Sequence, residues 1–114
     1  MTEEDMLHFE DWEKVDLRVG KILKVEDHPN ADKLYILTVD LGEEEPRTIV
    51  AGLKNHCDKT DLEGKLAIFV VNLEPATLRG VKSEGMILAA IEQNEKKVCI
   101  LKPDEEVEVG SKIR

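Results

Sequence analysis

The chain contains one long strand-like stretch, Val15-Asp16-Leu17-Arg18-Val19-Gly20-Lys21-Ile22-Leu23-Lys24-Val25. Its first apolar residues, Val15, Leu17 and Val19, alternate with charged ones, and this period of two is typical of a strand with one buried face. Gly20 then interrupts the alternation, and a glycine inside a strand often marks a bulge or a tight bend. Because a small closed barrel needs such bends in its long first strand, the stretch favours a barrel.

Strand patterns recur along the rest of the chain. Apolar residues in alternation or in short runs predict strands at 33–41, 47–51, 65–73, 86–91 and 97–101. The segment 53–64, between the third and fourth strands, is predicted to be a short helix or turn, and 74–84 a polar loop. Short strands with a single helical insert favour an all-β barrel over a layered α/β domain.

The N-terminal residues have a different composition from the rest. Thr2 can cap a short helix over residues 2–13, in which Met6 and Phe9 lie on one apolar stripe. This helix either covers one end of the barrel or docks on a second subunit. A chain of 114 residues has the length of one domain. The predicted parts of that domain are an N-terminal helix (1–14), a barrel (15–91) and a C-terminal extension (92–114).

The charge distribution is uneven. The net charge of −9 argues against a general nucleic-acid binder, which is usually basic. Seven acids and one base fall within residues 1–16, however, so the middle of the chain can still present a locally basic face. No apolar run approaches the roughly 20 residues of a membrane span, and the acidic N-terminus differs from a signal peptide. We therefore predict a cytoplasmic protein with no membrane partner.

The residues that carry enzymatic chemistry are scattered. Cys57 and Cys99 stand alone among core-like residues and are predicted to be buried free thiols rather than a disulfide. His8, His28 and His56 have no zinc-site spacing, so no metal is predicted. The sequence also lacks a phosphate-binding loop and a nucleophile elbow. We predict no enzyme, no cofactor and no small-molecule substrate.

Four motifs in order carry a family resemblance. They are Asp16-Leu17-Arg18-Val19-Gly20-Lys21-Ile22, His28-Pro29-Asn30-Ala31-Asp32-Lys33-Leu34-Tyr35, Arg47-Thr48-Ile49-Val50-Ala51-Gly52-Leu53, and Val70-Val71-Asn72-Leu73 with Arg79-Gly80-Val81-Lys82-Ser83-Glu84-Gly85-Met86. Over residues 15–113 the sequence resembles the tRNA-binding domain family. That family includes the C-terminal domain or small subunit of methionyl-tRNA synthetase, a free-standing dimeric tRNA-binding protein and the CsaA chaperone. The resemblance implies a five-stranded OB-fold Greek-key barrel with extra C-terminal strands.

The resemblance also implies a function. It points to structure-dependent, non-catalytic tRNA binding by a homodimer that assists an aminoacyl-tRNA synthetase, above all methionyl-tRNA synthetase. The complete Ser83-Glu84-Gly85-Met86 stretch favours the synthetase branch over CsaA, and the start at Met1 favours a separate subunit or free-standing protein. Two alternatives stay open. One is a module that recruits a synthetase by protein contact, since Glu74 lies in a loop where related proteins carry basic residues; the other is a CsaA-like chaperone for unfolded peptides.

Three cations are the first candidates for tRNA contact. Lys33 follows a turn and can pair with phosphate, although an exposed lysine is more often only solubilising. Arg79 and Lys82 lie in the loop before the last barrel strand, and an arginine can bind phosphate with two hydrogen bonds or stack on a base. Gly80 between them would let the backbone approach a ligand.

Four uncharged residues complete the predicted site. The Ser83 hydroxyl suits a ribose 2′-OH or a base edge. Met86 offers an apolar surface to a base, with core packing as its ordinary role. Asn30 and Asn72 can hydrogen-bond RNA, although asparagine at a turn or strand end more often binds its own backbone.

Overall fold

The computed structural model describes residues 2–114, and strands dominate it. The strands are β1 (Leu17–Asp27), β2 (Tyr35–Asp40), β3 (Arg47–Ala51), β4 (Leu66–Val70), β5 (Ala76–Leu78), β6 (Val81–Ser83), β7 (Met86–Ile87), β8 (Ala89–Ile91), β9 (Val98–Ile100) and β10 (Lys112–Ile113). Two four-residue helices, α1 (Phe9–Trp12) and α2 (Lys59–Leu62), and two 3-10 turns, Glu3–Asp5 and Gln93–Glu95, complete the elements. None of the helices in residues 2–114 is long and apolar enough to cross a membrane.

The main sheet has the order β3-β2-β1-β4-β7, and β10 pairs with the start of β1. Because β4 lies beside β1 rather than beside β3, the antiparallel strands follow a Greek-key path. The sheet curls until β7 and the end of β6 contact β3, which nearly closes the barrel. The all-β barrel with a short helix between its third and fourth strands is therefore confirmed.

The barrel interior is filled by aliphatic side chains together with Tyr35 and Phe69. A Cβ on Gly20 would lie 2.8 Å from side-chain atoms of Val39, Leu41 and Phe69, so the core leaves room only for glycine there. Gly20 itself keeps regular pairing with β4. The irregularity in β1 falls at Leu23, where the register to β2 shifts. Of the two features that a glycine at this position indicates, a bulge or a tight bend, the bulge lies instead at Leu23.

The N-terminal segment does not form the helix predicted over residues 2–13. Asp5 closes the first turn, accepting hydrogen bonds from the Thr2 hydroxyl (3.0 Å) and the Thr2 backbone N–H (3.3 Å). Met6 is already extended, and a helix resumes only at Phe9. No residue of either short element is buried. A helix of twelve residues is marginal without packing, and this segment has none to sustain it.

The loop predicted at residues 74–84 is a hairpin, β5–β6, and the strand predicted at 86–91 is two strands. The break falls at Leu88, after which β8 leaves the barrel sheet to pair with β9. The sequence pattern missed the hairpin because all three residues of β5 are exposed, so no apolar alternation marks it. The prediction of two buried thiols is wrong. Cys99 is exposed on β9, and Cys57, in the segment before α2, is half-buried.

Candidate nucleic-acid interface

The β5–β6 hairpin carries Arg79 at its tip in an unusual backbone conformation. Arg79 and Gly80 are the only two residues between the paired Leu78 and Val81, and their φ angles are +51° and +91°. This is the left-handed form of a two-residue hairpin turn, whose first position is usually asparagine, aspartate or glycine. An arginine there costs on the order of 1 kcal/mol. Gly80 thus serves the turn, and Arg79 places a cation at the tip in spite of the strain.

His28 fastens the hairpin to the loop that precedes β2. His28 is 4% exposed, its Nε2 donates to the Leu78 carbonyl at 2.9 Å, and its Nδ1 accepts the Asn30 backbone N–H at 3.0 Å. Such a pattern fits the neutral imidazole with its proton on Nε2. Sequence reasoning weighed His28 only as a metal ligand and missed this role. The hydrogen bonds hold the loop that bears Lys33 beside the turn that bears Arg79.

The base of the hairpin is fixed to β3. The buried Ser83 hydroxyl accepts the Val50 N–H at 2.9 Å and donates to the Gly85 carbonyl at 3.0 Å. Glu84 adds two hydrogen bonds to the backbone of Thr48. Ser83 is therefore engaged inside the protein. Its hydroxyl positions the hairpin and does not face solvent, where the sequence had predicted it to meet RNA.

The three predicted cations lie on or beside this hairpin and are unpaired. Lys33 and Arg79 line one surface cavity of about 390 Å³, together with Asp32 and two apolar residues. Lys82 is exposed on β6, opposite Thr77. Within residues 2–114 none of the three cations is in an ion pair, whereas six other basic side chains are paired: Lys14, Arg18, Lys24, Arg47, Lys54 and Lys59. The unpaired cations are available to phosphate.

The remaining predicted residues divide into two groups. Asn30 is exposed next to the cavity, and Met86 is 44% exposed on β7, where it pairs with Val70. Asn72 lies elsewhere: its Oδ1 accepts the Asp16 N–H at 2.9 Å and its Nδ2 donates to the Lys14 carbonyl. Lys33 and Arg79 thus lie together in one cavity. The Asn72 side chain instead binds the backbone of the segment that precedes β1.

Arg47 is a second residue whose role the sequence did not reveal. Its Nε and Nη2 donate to both oxygens of Glu43, each at 2.8 Å, and its Nη1 donates to the carbonyls of Val71 (2.7 Å) and Glu84 (3.0 Å). These bonds hold the pKa of Glu43 below its ordinary value. In the same way the Arg18 hydrogen bond lowers the pKa of Asp16. Both arginines are structural, so neither is free for RNA.

The tRNA binding domain family model matches residues 17–112, from the start of β1 to β10. The chain belongs to the tRNA-binding domain family. The resemblance read from the four motifs is thereby confirmed. In this tRNA-binding domain, two of the motifs contain the loop with Lys33 and the hairpin with Arg79.

Relatives of this tRNA-binding domain include synthetases and a chaperone. It is 55% identical over 112 residues to the methionine–tRNA ligase of Pyrococcus horikoshii, covering 98% of the chain but only 15% of the ligase. The crystal structure of a MetRS related protein from the same organism has a TM-score of 0.89 at 37% identity, covering 96% of this chain and 99% of that one. The chaperone CsaA from Bacillus anthracis has a TM-score of 0.85 at 31% identity, with the same coverage.

Proposed function

We propose that this domain binds tRNA without catalysis and serves an aminoacyl-tRNA synthetase, first of all methionyl-tRNA synthetase, in the cytoplasm. The observation that carries the proposal is the unpaired Arg79, which sits in a strained turn and shares a cavity with Lys33. Family membership and the methionine–tRNA ligase relatives support the same reading. The domain matches about 15% of the length of those ligases, so it would act beside a catalytic part and not as one.

The mechanism is an electrostatic clamp that reads the shape of the RNA. Phosphate contacts fix position without reading sequence, and Lys33, Arg79 and Lys82 supply three of them. The net charge of −9 repels RNA from the acidic surfaces, so an approaching tRNA is directed toward places where unpaired cations gather. Binding at this site raises the local concentration of tRNA at the synthetase and so lowers the apparent KM for tRNA.

A second copy of the chain is the proposed partner for the exposed apolar residues near the two termini. Phe9 is 69% exposed and Trp12 37% exposed, and together with Ile113 they line a cavity of about 280 Å³. Apolar side chains gathered in this way are typical of an interface. A dimer would present two clamps to one tRNA. Sedimentation of the wild type and of Phe9→Ser with Trp12→Ser tests this: a dimer that becomes a monomer supports it, and a monomeric wild type refutes it.

A gel shift with total tRNA tests the binding proposal. We expect Arg79→Gln with Lys82→Gln to weaken binding at 0.1 M salt by about tenfold or more, since each lost phosphate contact removes counterion release. The matched control is Lys21→Gln with Lys65→Gln, two exposed lysines outside the cavity that give the same change in net charge. Equal weakening in both variants would show a non-specific charge effect and reject the clamp.

Chaperone activity is the second candidate, because the CsaA structure matches the chain closely. Such a role needs exposed apolar surface, and Ile91 is 61% and Leu73 48% exposed. The measurement is light scattering of a heat-denatured test protein with and without this domain. Suppression of aggregation that Arg79→Gln leaves intact would favour the chaperone, and no suppression would remove it.

A further inference from the structure

A second group of lysines lies away from the hairpin. Lys96, Lys97 and Lys102 line a surface cavity of about 360 Å³ between β9 and the segment that follows β3, with Asn55 and His56 at its other side. This lysine cavity shares no residue with the cavity of Lys33 and Arg79. Its three lysines belong to the C-terminal extension, which the four sequence motifs do not include.

The charge of the lysine cavity is opposite to that of the chain. All three lysines are exposed, and within residues 2–114 none of them is in an ion pair. Asp61 is the one acid among the residues that line the cavity. Like charges gathered without partners repel one another, and an anion bound between them would relieve that repulsion.

Apolar side chains that belong to or pack against the barrel core form the floor of the lysine cavity. Leu62 is 1% exposed and belongs to the barrel core, and Val98 and Ile100 pack against that core. The exposed side chains of Asn55 and His56 offer hydrogen-bonding groups at the edge. An apolar floor with a cationic rim suits a nucleotide, whose sugar and base can lie on the floor while its phosphates meet the lysines.

We propose that the lysine cavity is a second contact for the RNA backbone, so that one bound tRNA touches the domain at two separate places. This inference rests on the proposed function. Lysines act as separate point charges, and three of them on an exposed rim match successive phosphates of a chain better than one free phosphate ion. Together, the hairpin clamp and the lysine cavity would recognise a folded RNA by the distance between two segments of its phosphate backbone.

The two cysteines allow a footprint on the unmodified protein, since both line the lysine cavity and the sequence has no others. Cys99 is exposed, whereas burial raises the pKa of the half-buried Cys57 thiol and lowers its thiolate fraction. Cys99 should therefore react first with a thiol reagent such as N-ethylmaleimide. We expect saturating total tRNA to slow this reaction several-fold, and inorganic phosphate at the same phosphate concentration to leave it unchanged.

The matching variant is Lys96→Gln, Lys97→Gln and Lys102→Gln. Its control is Lys21→Gln, Lys24→Gln and Lys65→Gln, which removes the same charge from exposed positions outside both cavities. We expect the first variant to make the slope of log affinity against log salt shallower by about 2, and the control to change it by less than about 1.

The outcomes separate this inference from the proposed function. In one outcome, tRNA binds and the Arg79 and Lys82 substitutions weaken binding, but tRNA leaves Cys99 labelling unchanged and the two triple-lysine variants have the same salt slope. The lysine cavity is then not a contact, and the clamp stands. If phosphate alone protects Cys99 as well as tRNA does, the cavity is a site for a free anion and the inference fails. If tRNA does not bind at all, both proposals fall together.

Discussion

The most informative single residue is Arg79. Arg79 has a left-handed backbone conformation, which is unfavourable for arginine. Asparagine would adopt the same conformation at a lower cost in folding free energy. Backbone strain of this kind persists where the surrounding structure enforces it, and it is concentrated at functional sites. The neighbouring Gly80 adopts positive φ without strain, so its conformation does not indicate a functional site. If Arg79 binds RNA as proposed, stability and RNA binding favour different residues at this position.

Arg79→Asn should separate stability from RNA binding. Asparagine tolerates positive φ, so we expect the free energy of unfolding to rise by about 0.5 to 1 kcal/mol. We also expect tRNA affinity to fall, because one phosphate contact is lost. Urea denaturation and filter binding measure the two effects. Lys82→Gln is the control, expected to weaken binding without a gain in stability. A variant that is both less stable and fully able to bind would contradict this account of Arg79.

Sequence reasoning found the solvent-facing cations and missed the residues that support them. Lys33 and Arg79 could be predicted because a charged residue in a turn reaches solvent wherever the turn lies. His28 and Arg47 could not, since their partners Leu78 and Val71 are 50 and 24 residues away in the chain. The same long-range pairing explains Ser83, whose hydroxyl was expected to face RNA but holds β3.

At the level of elements, the β5–β6 hairpin depends on its attachments. It lies outside the barrel sheet, and β5 is fully exposed, so little apolar burial holds it in place. His28 near the tip and Ser83 at the base provide the fixed points. Alternating apolar residues predicted the barrel strands well, but they could not predict an exposed hairpin or the breakup of the N-terminal helix, where no buried face repeats.

His28→Ala should loosen the hairpin without changing any charged side chain at the site. The Leu78 carbonyl loses its donor, which we expect to cost about 1 to 3 kcal/mol and to speed hydrogen exchange of the β5–β6 amides. Affinity for tRNA should fall because Lys33 and Arg79 are no longer held together. His28→Gln, which can restore the donor to Leu78, should recover part of both properties. Unchanged exchange and affinity in His28→Ala would rule out this role.

The Glu43–Arg47 pair joins the turn between β2 and β3 to the start of β3 and should make stability depend on acid. The pKa of Glu43 is lowered in the folded state, chiefly by the Arg47 hydrogen bond, so the folded form binds fewer protons than the unfolded form. The pair's contribution is fully present above the ordinary glutamate pKa of about 4.3 and is lost as pH falls through the lowered value. We expect the urea midpoint to fall less between pH 6 and pH 3 in Glu43→Gln than in the wild type. Identical profiles would contradict the linkage.

At the level of the whole molecule, an acidic protein presents groups of unpaired cations on and beside the β5–β6 hairpin and in the lysine cavity. Most of the net negative charge lies in the N-terminal residues, which also carry exposed apolar side chains of the proposed dimer surface. Within residues 2–114 six basic side chains are neutralised by ion pairs, which removes them from the charge available to RNA. Selectivity then comes from geometry, since an RNA must reach the unpaired cations while the acidic surface repels it.

The salt dependence of tRNA binding tests the clamp most directly. Equilibrium affinity for total tRNA would be measured from 50 to 300 mM KCl for the wild type and for Lys33→Gln with Arg79→Gln and Lys82→Gln. The clamp by itself, with three to five phosphate contacts, predicts that log affinity falls against log salt with a slope of about −2 to −4, and the variant's slope should be shallower by about 2. Contacts in the lysine cavity would steepen both slopes equally. A wild-type slope near zero, or the same slope in both proteins, would contradict the clamp.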